Sequence, residues 1–393
     1  MRKKLKDICD FYSGTGFPTQ YQGETEGDYP FYKVGDIAQN AVAGKVYLEL
    51  CNNYISEEVA KTIKGCILPK NTVVFAKIGE ALKLNRRAIT SCDCLIDNNV
   101  MGIAPKSDFL RIQYFYFFMK NLKIQTLAES TTVPSVRKTV LENYEIEVPS
   151  LDEQKEIENK FAFAQKIIEK RKQELSTLDN LIKARFVEMF GDIYLNSKGW
   201  SEAKLESMAD VVSGITKGRK TKSEDLTEVP YMAVSNVKDG YIDWTTVKTI
   251  EATQQEIEQY RLLADDVLMT EGGDPDKVGR GAIIKEPLEN CIHQNHIFRV
   301  RLDESVMLPE FFAEYLQHQR SKRYFLGCAK QTTGIASINM TQLRALPVLM
   351  PPLSKQEEFV LFKAQVDKSK VVVQKALTET QLLFDSFMQQ YFG

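Results

Sequence analysis

The residues of this sequence that are best suited to chemistry are cations clustered on loops. Four cations fall within six positions from residue 217 to residue 222, and four more fall between residues 77 and 87. Arg and Lys contact phosphates and guanine edges, so these clusters favour nucleic-acid binding over plain solvated loops. The cations are Lys217, Arg219, Lys220 and Lys222, together with Lys77, Lys83, Arg86 and Arg87.

A glycine-rich stretch at 271–281 carries two more candidate DNA contacts, Lys277 and Arg280. Its glycines allow the backbone to approach a ligand closely. Residues 1–150 hold 19 cations and 17 anions, and residues 193–352 hold 19 cations and 22 anions. Neither part is basic overall, so we expect a local DNA-binding face, with other subunits supplying much of the grip on phosphates.

Motifs for catalysis are absent from the sequence. It contains neither a G-x-x-x-x-G-K-[ST] phosphate loop nor a [DN]-P-P-[YFW] motif for methyl transfer to an amino group. His293 and His296 would point to opposite faces of a strand, so a shared metal ion is not expected. Asp274 and Asp276 fit a turn rich in Gly, Asp and Pro better than a nuclease site. We therefore expect no catalytic residues, no metal and no cofactor on this chain.

A long internal repeat organises the chain. The segment PSLDEQKEI at 149–157 returns as PPLSKQEEF at 351–359, and Phe190-Gly191 returns as Phe392-Gly393, in both cases 202 residues later. Repeats of this length are too long for a solenoid and indicate a duplicated pair of domains. We expect an α+β fold in which two mixed α/β domains are separated by two long helices, with a pseudo-two-fold axis relating the halves.

The expected boundaries follow from composition. Short β-branched and apolar runs between Gly and Pro residues indicate mixed α and β structure in the globular parts. One helical stretch stands out in each globular part, at 110–127 and at 309–326. The expected parts are a first globular domain at 1–150, a first spacer helix at 151–192, a second globular domain at 193–352 and a second spacer helix at 353–393.

The two spacer segments have the pattern of a coiled coil. Residues 151–190 and 353–392 contain neither Pro nor Gly, and apolar residues recur in steps of four and three. This 3.5-residue period is typical of a seam between helices, and a helix of this length rises about 60 Å, so we expect the two helices to pair antiparallel. The same stepping also assigns Arg185 to the seam. The expected seam residues are Ile157, Phe161, Ile168, Leu175, Leu178, Ile182, Phe359, Val366, Val373, Leu377, Phe384 and Phe387.

The cysteines indicate a reducing compartment. There are seven, none in a C-x-x-C pair, and no signal peptide precedes them. We expect free thiols and a cytoplasmic location. No apolar run approaches the roughly 20 residues needed to cross a bilayer.

Two similar segments close the globular parts, SVRKTVLENYEIEVPSLDEQKE at 135–156 and SINMTQLRALPVLMPPLSKQEE at 337–358. These segments resemble the DNA specificity subunit of type I restriction-modification systems. The stretch TEGGDPDKVGRG at 270–281 also resembles such subunits. Thr332 and Thr333 precede Gly334 ahead of the second closing segment, whereas the first part has Thr-Thr-Val-Pro at 131–134.

The resemblance implies a subunit that is not an enzyme by itself. Each globular part would be a target recognition domain that reads one half of a bipartite, asymmetric sequence in double-stranded DNA, with Thr332 and Thr333 among the contacts. The long helices would set the unread spacer and dock two modification subunits, which bring S-adenosylmethionine and methylate adenine. Restriction subunits that use ATP and Mg would join for cleavage. No membrane partner is implied.

An alternative remains open from the residues alone. A non-enzymatic scaffold could pair its long helices with another helical partner and bind proteins through its globular parts. A free-standing nuclease or methyltransferase would need motifs that the sequence lacks. Sequence-specific retention of DNA in the presence of the modification subunit separates the first two readings.

Overall fold

Short apolar runs form the central strands of each half of the chain. In the computed structural model, Val73–Ala76 and Val267–Thr270 are buried along their whole length, as expected of strands covered on both faces. The structure describes residues 1–128, 133–219, 225–274, 278–332 and 335–393, without the side chains of 331, 332 and 335.

The chain divides into two compact units. Unit 1 consists of Met1–Gln173 with Gln374–Gly393, and unit 2 consists of Glu174–Val373. Each unit has its own large hydrophobic core. Each therefore contains about half of each long helix.

Unit 1 is a mixed structure of strands and helices. Its strands are β1 (Arg2–Lys4), β2 (Cys9–Ser13), β3 (Tyr29–Tyr32), β4 (Tyr47–Leu48), β5 (Tyr54–Ile55), β6 (Val73–Ala76), β7 (Ala88–Thr90), β8 (Leu95–Ile96), β9 (Val100–Pro105) and β10 (Glu145–Glu147). Its helices are α1 (Leu5–Ile8), α2 (Val34–Val42), α3 (Glu57–Thr62), α4 (Glu80–Lys83), α5 (Ile112–Asn121), α6 (Lys138–Glu142) and the start of the long helix α7 (Leu151–Phe190). The sheets have the orders β2-β9-β6-β7-β4, β5-β3-β8 and β1-β10.

Unit 2 is built from the same kinds of element. Its strands are β11 (Ser201–Lys204), β12 (Ala209–Ser213), β13 (Thr227–Met232), β14 (Lys248–Ala252), β15 (Val267–Thr270), β16 (Gly272–Gly273), β17 (Gly281–Ile283), β18 (Ile292–His293), β19 (Ile297–Leu302), β20 (Lys330–Thr332), β21 (Ile335–Ser337) and β22 (Pro347–Met350). Its helices are α8 (Gln254–Tyr260), α9 (Pro309–Gln317), α10 (Gln319–Cys328), α11 (Met340–Arg344) and the start of the long helix α12 (Leu353–Phe392). The sheets have the orders β12-β19-β15-β17, β14-β13-β18, β16-β21-β20 and β11-β22.

The internal repeat is therefore a repeat of topology. The order β12-β19-β15-β17 in unit 2 matches β2-β9-β6-β7 in unit 1, and β14-β13-β18 matches β5-β3-β8. The registers also agree, because Val73 lies opposite Ile103 in unit 1 and Val267 lies opposite Val300 in unit 2. The predicted fold class, α+β with two mixed parts and two long helices, is confirmed.

A glycine is needed at the same place in both units. A Cβ atom on Gly14 would lie 1.7 Å from the carbonyl oxygen of Asp97, and one on Gly214 would lie 1.9 Å from that of His293. Neither distance can be accommodated by a side-chain rotation, because the obstructing atom belongs to the backbone. The turn after β2 and the turn after β12 are thus fixed by the same steric requirement.

The predicted helix at 309–326 is wrong at one residue. α9 ends at Gln317 and α10 begins at Gln319, because His318 has an extended backbone with φ −86° and ψ 159°. Its ring stacks on Phe186 of α7 at a centroid distance of 4.2 Å. In unit 1, the predicted stretch at 110–127 is α5 followed by a short 3-10 turn at Ile124–Leu127.

The repeated segment before each long helix places a buried glutamine in the first turn. In unit 2, Gln356 is fully buried, and its Oε1 accepts a hydrogen bond from the Leu308 N–H at 2.9 Å. Its Nε2 donates to the carbonyls of Val306 and Pro351 at 3.1 and 2.9 Å. The side chain thus ties the start of α12 to the start of α9.

The first copy of the segment makes the same connection in unit 1. Gln154 is fully buried, and its Oε1 accepts a hydrogen bond from the Arg111 N–H at 2.9 Å. Its Nε2 donates to the carbonyls of Phe109 and Pro149 at 2.8 and 3.0 Å. The glutamine that both copies of the repeat share therefore holds α7 against the segment that leads into α5, as a structural clamp.

The two long helices lie against each other. Within unit 2, Arg185 of α7 pairs with Glu358 of α12, and Asp179 pairs with Lys370. A later residue of α7 meets an earlier residue of α12, so the helices are antiparallel, as predicted. Within unit 1, the ring of Phe161 is 5.2 Å from that of Phe384.

Among the described residues, no helix combines the length and the apolar composition that a membrane span requires. All seven cysteines are free thiols.

Candidate nucleic-acid interface

Two segments that are far apart in the sequence meet at one edge of unit 2. Glu271 directly follows β15, and its carbonyl accepts a hydrogen bond from the Ile338 N–H at 2.8 Å. The next residue, Gly272, pairs with Ser337 in the small sheet β16-β21-β20. The predicted glycine-rich loop and the segment after Thr332 are therefore brought together, although the sequence separates them by about sixty residues.

Unit 1 builds the same edge from equivalent segments. The carbonyl of Lys77, which directly follows β6, accepts a hydrogen bond from the Val136 N–H at 3.0 Å. Ile78 bridges to Ser135, and the Gly79 N–H donates to the Pro134 carbonyl at 2.8 Å. In both units, the chain directly after the central strand therefore lies against the segment that precedes a short helix, which is α6 in unit 1 and α11 in unit 2.

Several predicted contact residues lie at the surface of unit 1. Lys83 is exposed in α4 and pairs with Glu80 at 2.7 Å. Lys77 and Arg86 are half-buried. These three cations are available to a ligand at the protein surface.

Arg87 lies in the interior of unit 1. It is only 4% exposed, its Nε donates to the Met119 carbonyl at 3.2 Å, and its guanidinium lies over the ring of Phe75 at 4.9 Å. Burial lowers its pKa to about 10, so it remains charged at neutral pH. The structure gives this arginine the role of tying the end of α5 to the central sheet. The cluster in the sequence could not distinguish it from its exposed neighbour Arg86.

Arg219 is engaged within unit 2. Its guanidinium pairs with both carboxylate oxygens of Glu256 in α8 and also donates to the Glu251 carbonyl. The hydrogen bonds from Arg219 hold the pKa of Glu256 at about 2. Lys217, two residues earlier, is exposed. Among the described residues of unit 2, Arg219 therefore has side-chain and backbone partners, whereas none is found for Lys217.

The remaining predicted contacts are placed less fully. Arg280 is half-buried, and its Nε finds no hydrogen-bond partner within the described ranges. Thr332 ends β20, and its backbone pairs with Ile335. Three lysines and one threonine of the prediction lie outside the described residues: Lys220, Lys222, Lys277 and Thr333.

The two histidines considered for a metal site face different surroundings. His293 is fully buried, and its ring nitrogens contact the carbonyls of Tyr260 and Val212. Burial lowers its pKa to about 4. His296 is exposed, and its Nδ1 lies 2.5 Å from the carboxylate of Glu271. No group of three or more metal-ligating side chains occurs in the part of the chain that the structure describes.

Sequence comparison decides the family. The type I restriction modification DNA specificity domain matches residues 1–177 and, separately, residues 197–380. The chain belongs to this family. The predicted resemblance is confirmed, and each half of this specificity-family chain carries one copy of the domain.

Curated relatives agree with the family match. The chain is 25% identical over 314 residues to the type I restriction enzyme StySPI specificity subunit of Salmonella potsdam, covering 74% of this chain and 67% of the relative. It is 23% identical over 288 residues to the EcoKI specificity subunit of Escherichia coli strain K12, covering 69% and 61%. A putative MjaX specificity subunit of Methanocaldococcus jannaschii is 25% identical over 195 residues, covering 49% and 45%. The chain thus spans between about half and two thirds of these relatives.

Solved structures share the fold. The type I restriction-modification S subunit from M. genitalium matches with a TM-score of 0.54 and 14% identity, covering 100% of this chain and 96% of that one. A chain from a study of complex assembly and conformational transition of the type I system matches with a TM-score of 0.62 and 14% identity, covering 100% and 97%. At this identity the likeness shows the fold alone.

The predicted seam residues of α7 and α12 are all at least partly buried. Eight of them are buried, and the other four are half-buried. The buried ones are Ile157, Phe161, Ile168, Ile182, Phe359, Val366, Val373 and Phe384, and the half-buried ones are Leu175, Leu178, Leu377 and Phe387.

The stepping pattern misplaces one turn near the end of α7. Arg185, which it assigns to the seam, is 29% exposed and pairs with Glu188 and Glu358. Phe186 is fully buried instead, with its ring 5.5 Å from Phe311 and 5.2 Å from Phe359. The helix packs here against α9 as well as α12, so a wider apolar face replaces the narrow seam.

Sequence reasoning did not identify Asn99, Glu271 or His296 as candidate contacts at the shared edge. Asn99 lies beside Lys77 in unit 1, and His296 lies beside Glu271 in unit 2. The sequence IDNN at 96–99 is similar to IHQN at 292–295, which marks this region as part of the repeat. This similarity does not show which residues lie opposite each other on neighbouring strands.

Proposed function

We propose that this chain is the DNA-binding specificity subunit of a type I restriction-modification complex. Each globular part reads one half of a bipartite target in double-stranded DNA, and the paired helices set the spacer between the halves. The observation that carries this proposal is the family match to both halves of the chain. The repeated edge, built by equivalent segments in each unit, supports it.

The two half-sites are proposed to differ. Both units share a backbone framework, in which β6 and β9 correspond to β15 and β19. The side chains on this framework differ between units, as at Lys77 and Glu271. A shared framework positions both units similarly on the duplex, whereas different side chains select different bases.

The long helices are proposed to act as a ruler. α7 and α12 each contain 40 residues, and a helix of that length rises about 60 Å. A continuous helix fixes a separation better than a flexible linker does. The same helices are proposed to dock two modification subunits, with restriction subunits joining the complex for cleavage.

Catalysis is assigned to the partner subunits. In this proposal the chain carries no catalytic residue and no cofactor. The modification subunits bring S-adenosylmethionine and methylate adenine, and the restriction subunits use ATP and Mg. The assembled complex works in the cytoplasm.

The ruler is tested by lengthening both helices by one heptad at facing positions. Seven residues add about 10 Å of helix, which corresponds to about three base pairs at 3.4 Å each. Bound sequences are selected from random DNA by the complex with modification subunits at moderate salt, because phosphate contacts alone give nonspecific binding. A changed spacer preference or lost binding supports the ruler.

The control keeps helix length constant. Seven exposed residues in each helix are replaced by alanine, and this variant should select the wild-type spacer. An unchanged spacer in the lengthened variant would contradict the ruler. Failure of the wild-type complex to select any sequence would refute DNA specificity itself and favour a scaffold.

A further inference from the structure

A pair of facing residues stands at the edge of unit 1, one step beyond the central strands. β6 and β9 pair with Ala76 opposite Val100, so the next pair is Lys77 and Asn99. The Lys77 N–H donates to the Asn99 carbonyl at 2.9 Å. Facing residues on antiparallel strands have Cβ atoms about 5 Å apart and project to the same face. Lys77 is half-buried and Asn99 is exposed.

The equivalent pair in unit 2 is Glu271 and His296. β15 and β19 pair with Thr270 opposite Ile297, and the Glu271 N–H donates to the His296 carbonyl at 3.0 Å. The His296 Nδ1 lies 2.5 Å from the Glu271 carboxylate. The His296 side chain is 55% exposed and the Glu271 side chain is 34% exposed, so a ligand at this edge can reach both.

The two pairs offer opposite hydrogen-bonding groups. The Lys77 ammonium only donates, and the Asn99 amide both donates and accepts. The Glu271 carboxylate only accepts, so the short contact requires a proton on Nδ1 of His296. The carboxylate is then the acceptor that the unit 2 pair offers, in contrast to the ammonium donor of the unit 1 pair.

A neighbouring position carries the same chemistry in both units. Continuing the register of β6 with β7 puts Arg86 opposite Ala76, and continuing that of β15 with β17 puts Arg280 opposite Thr270. The Thr270 N–H donates to the Arg280 carbonyl at 3.1 Å, which supports this extension in unit 2. A cation common to both units suits contacts to phosphates, which carry no direct sequence information.

We propose that the facing pair at this edge reads a base in each half-site, with opposite preferences in the two units. The proposal rests on the function proposed above. In the major groove guanine presents the acceptors N7 and O6, whereas cytosine and adenine present the amino groups N4 and N6. Lys77 selects guanine, and Glu271 with His296 selects cytosine or adenine at the equivalent step of the other half-site.

The test rebuilds the unit 1 pair in unit 2. The double variant Glu271→Lys/His296→Asn is assembled with modification subunits, and bound sequences are selected from random DNA beside the wild type. We expect one position of one half-site to change from cytosine or adenine to guanine, with the other half-site unaltered. A bidentate contact discriminates between bases by about 5- to 150-fold, which is the expected shift in the preference ratio.

Two further variants separate recognition from folding and from plain charge. Glu271→Gln keeps the size of the side chain, and a glutamine amide pairs with adenine, so this variant should lose a preference for cytosine, keep one for adenine and create none for guanine. Arg280→Ala should lower affinity for all sequences alike. Circular dichroism and assembly with the modification subunit establish that each variant is folded.

The possible outcomes are distinct. An unchanged selected sequence in the folded double variant overturns the base-reading assignment, while selection by the wild type leaves the proposed function standing. Loss of all binding by the folded double variant also overturns it, since replacing an anion with a cation should not weaken general attraction to DNA. If the wild type itself selects no sequence, the proposed function fails.

Discussion

Replacing Gln356 should strongly destabilise unit 2. This side chain is fully buried and makes hydrogen bonds with the Leu308 N–H and the carbonyls of Val306 and Pro351. Gln356→Met keeps a similar volume but removes all three bonds. Each buried group left without a partner costs about 1–3 kcal/mol, so the free energy of unfolding should fall by roughly 3 kcal/mol or more.

The measurement combines denaturant unfolding with hydrogen exchange. Unfolding gives the loss of stability, and exchange of the peptide that contains Leu308 shows whether that amide has lost its partner. Gln365→Ala is the matched control, because Gln365 lies exposed on the same helix and alanine is a better helix former. The control should stay within about 0.5 kcal/mol of the wild type.

The clamp would be refuted by a specific result. If Gln356→Met unfolded within about 0.5 kcal/mol of the wild type, with the Leu308 amide equally protected, the three bonds would not hold the start of α12. A loss of stability without faster exchange at Leu308 would also count against it, because the damage would then arise elsewhere. The equivalent Gln154 gives an independent repeat of the experiment in unit 1.

Two more predictions follow from buried rings. Phe161→Ala should cost about 3–5 kcal/mol of stability in unit 1, because this fully buried ring lies 4.6 Å from Phe117 and 5.2 Å from Phe384. The control is Phe163→Ala, at a residue that is 68% exposed, and it should cost little in the same unfolding assay. Burial lowers the pKa of His293 to about 4 from its ordinary value of 6.5, so its unfolded form binds a proton that the folded form does not, and stability should rise between pH 4 and pH 6.5. His293→Gln should reduce that slope and Gln365→Ala should not; an unaltered slope in His293→Gln would contradict the assignment.

Much of the helical architecture could be predicted from the sequence. Forty-residue segments without Pro or Gly, with apolar residues every 3.5 positions, leave little choice but long helices that pair. The same pattern failed at Arg185 and Phe186, where α7 turns its apolar side toward Phe311 of α9 as well as toward α12. A single repeat period in the sequence describes a helix that packs against one partner helix. It cannot describe a helix that packs against two partner helices on different sides.

The residues of the candidate site were harder to predict from the sequence than the helices. The cations at 83, 86 and 87 look alike in the sequence, yet Lys83 is exposed while Arg87 is enclosed beneath α5. Burial of an arginine depends on which carbonyl lies within reach, here that of Met119, 32 residues away. Such a partner is set by the packing of α5 on the sheet, which no local pattern encodes.

Because of the internal repeat, this chain contains two copies of one fold that can be compared position by position. Positions with the same residue in both units, such as Gln154 with Gln356 and Gly14 with Gly214, make equivalent contacts in the two units. Positions that differ between the units do not make these shared contacts and can carry recognition. The strand registers reduce the number of candidate recognition residues, because they place one pair that differs between the units at the same edge: Lys77 with Asn99 in unit 1, and Glu271 with His296 in unit 2. The residues that discriminate between half-sites should therefore be sought where an identical backbone carries opposite hydrogen-bonding groups.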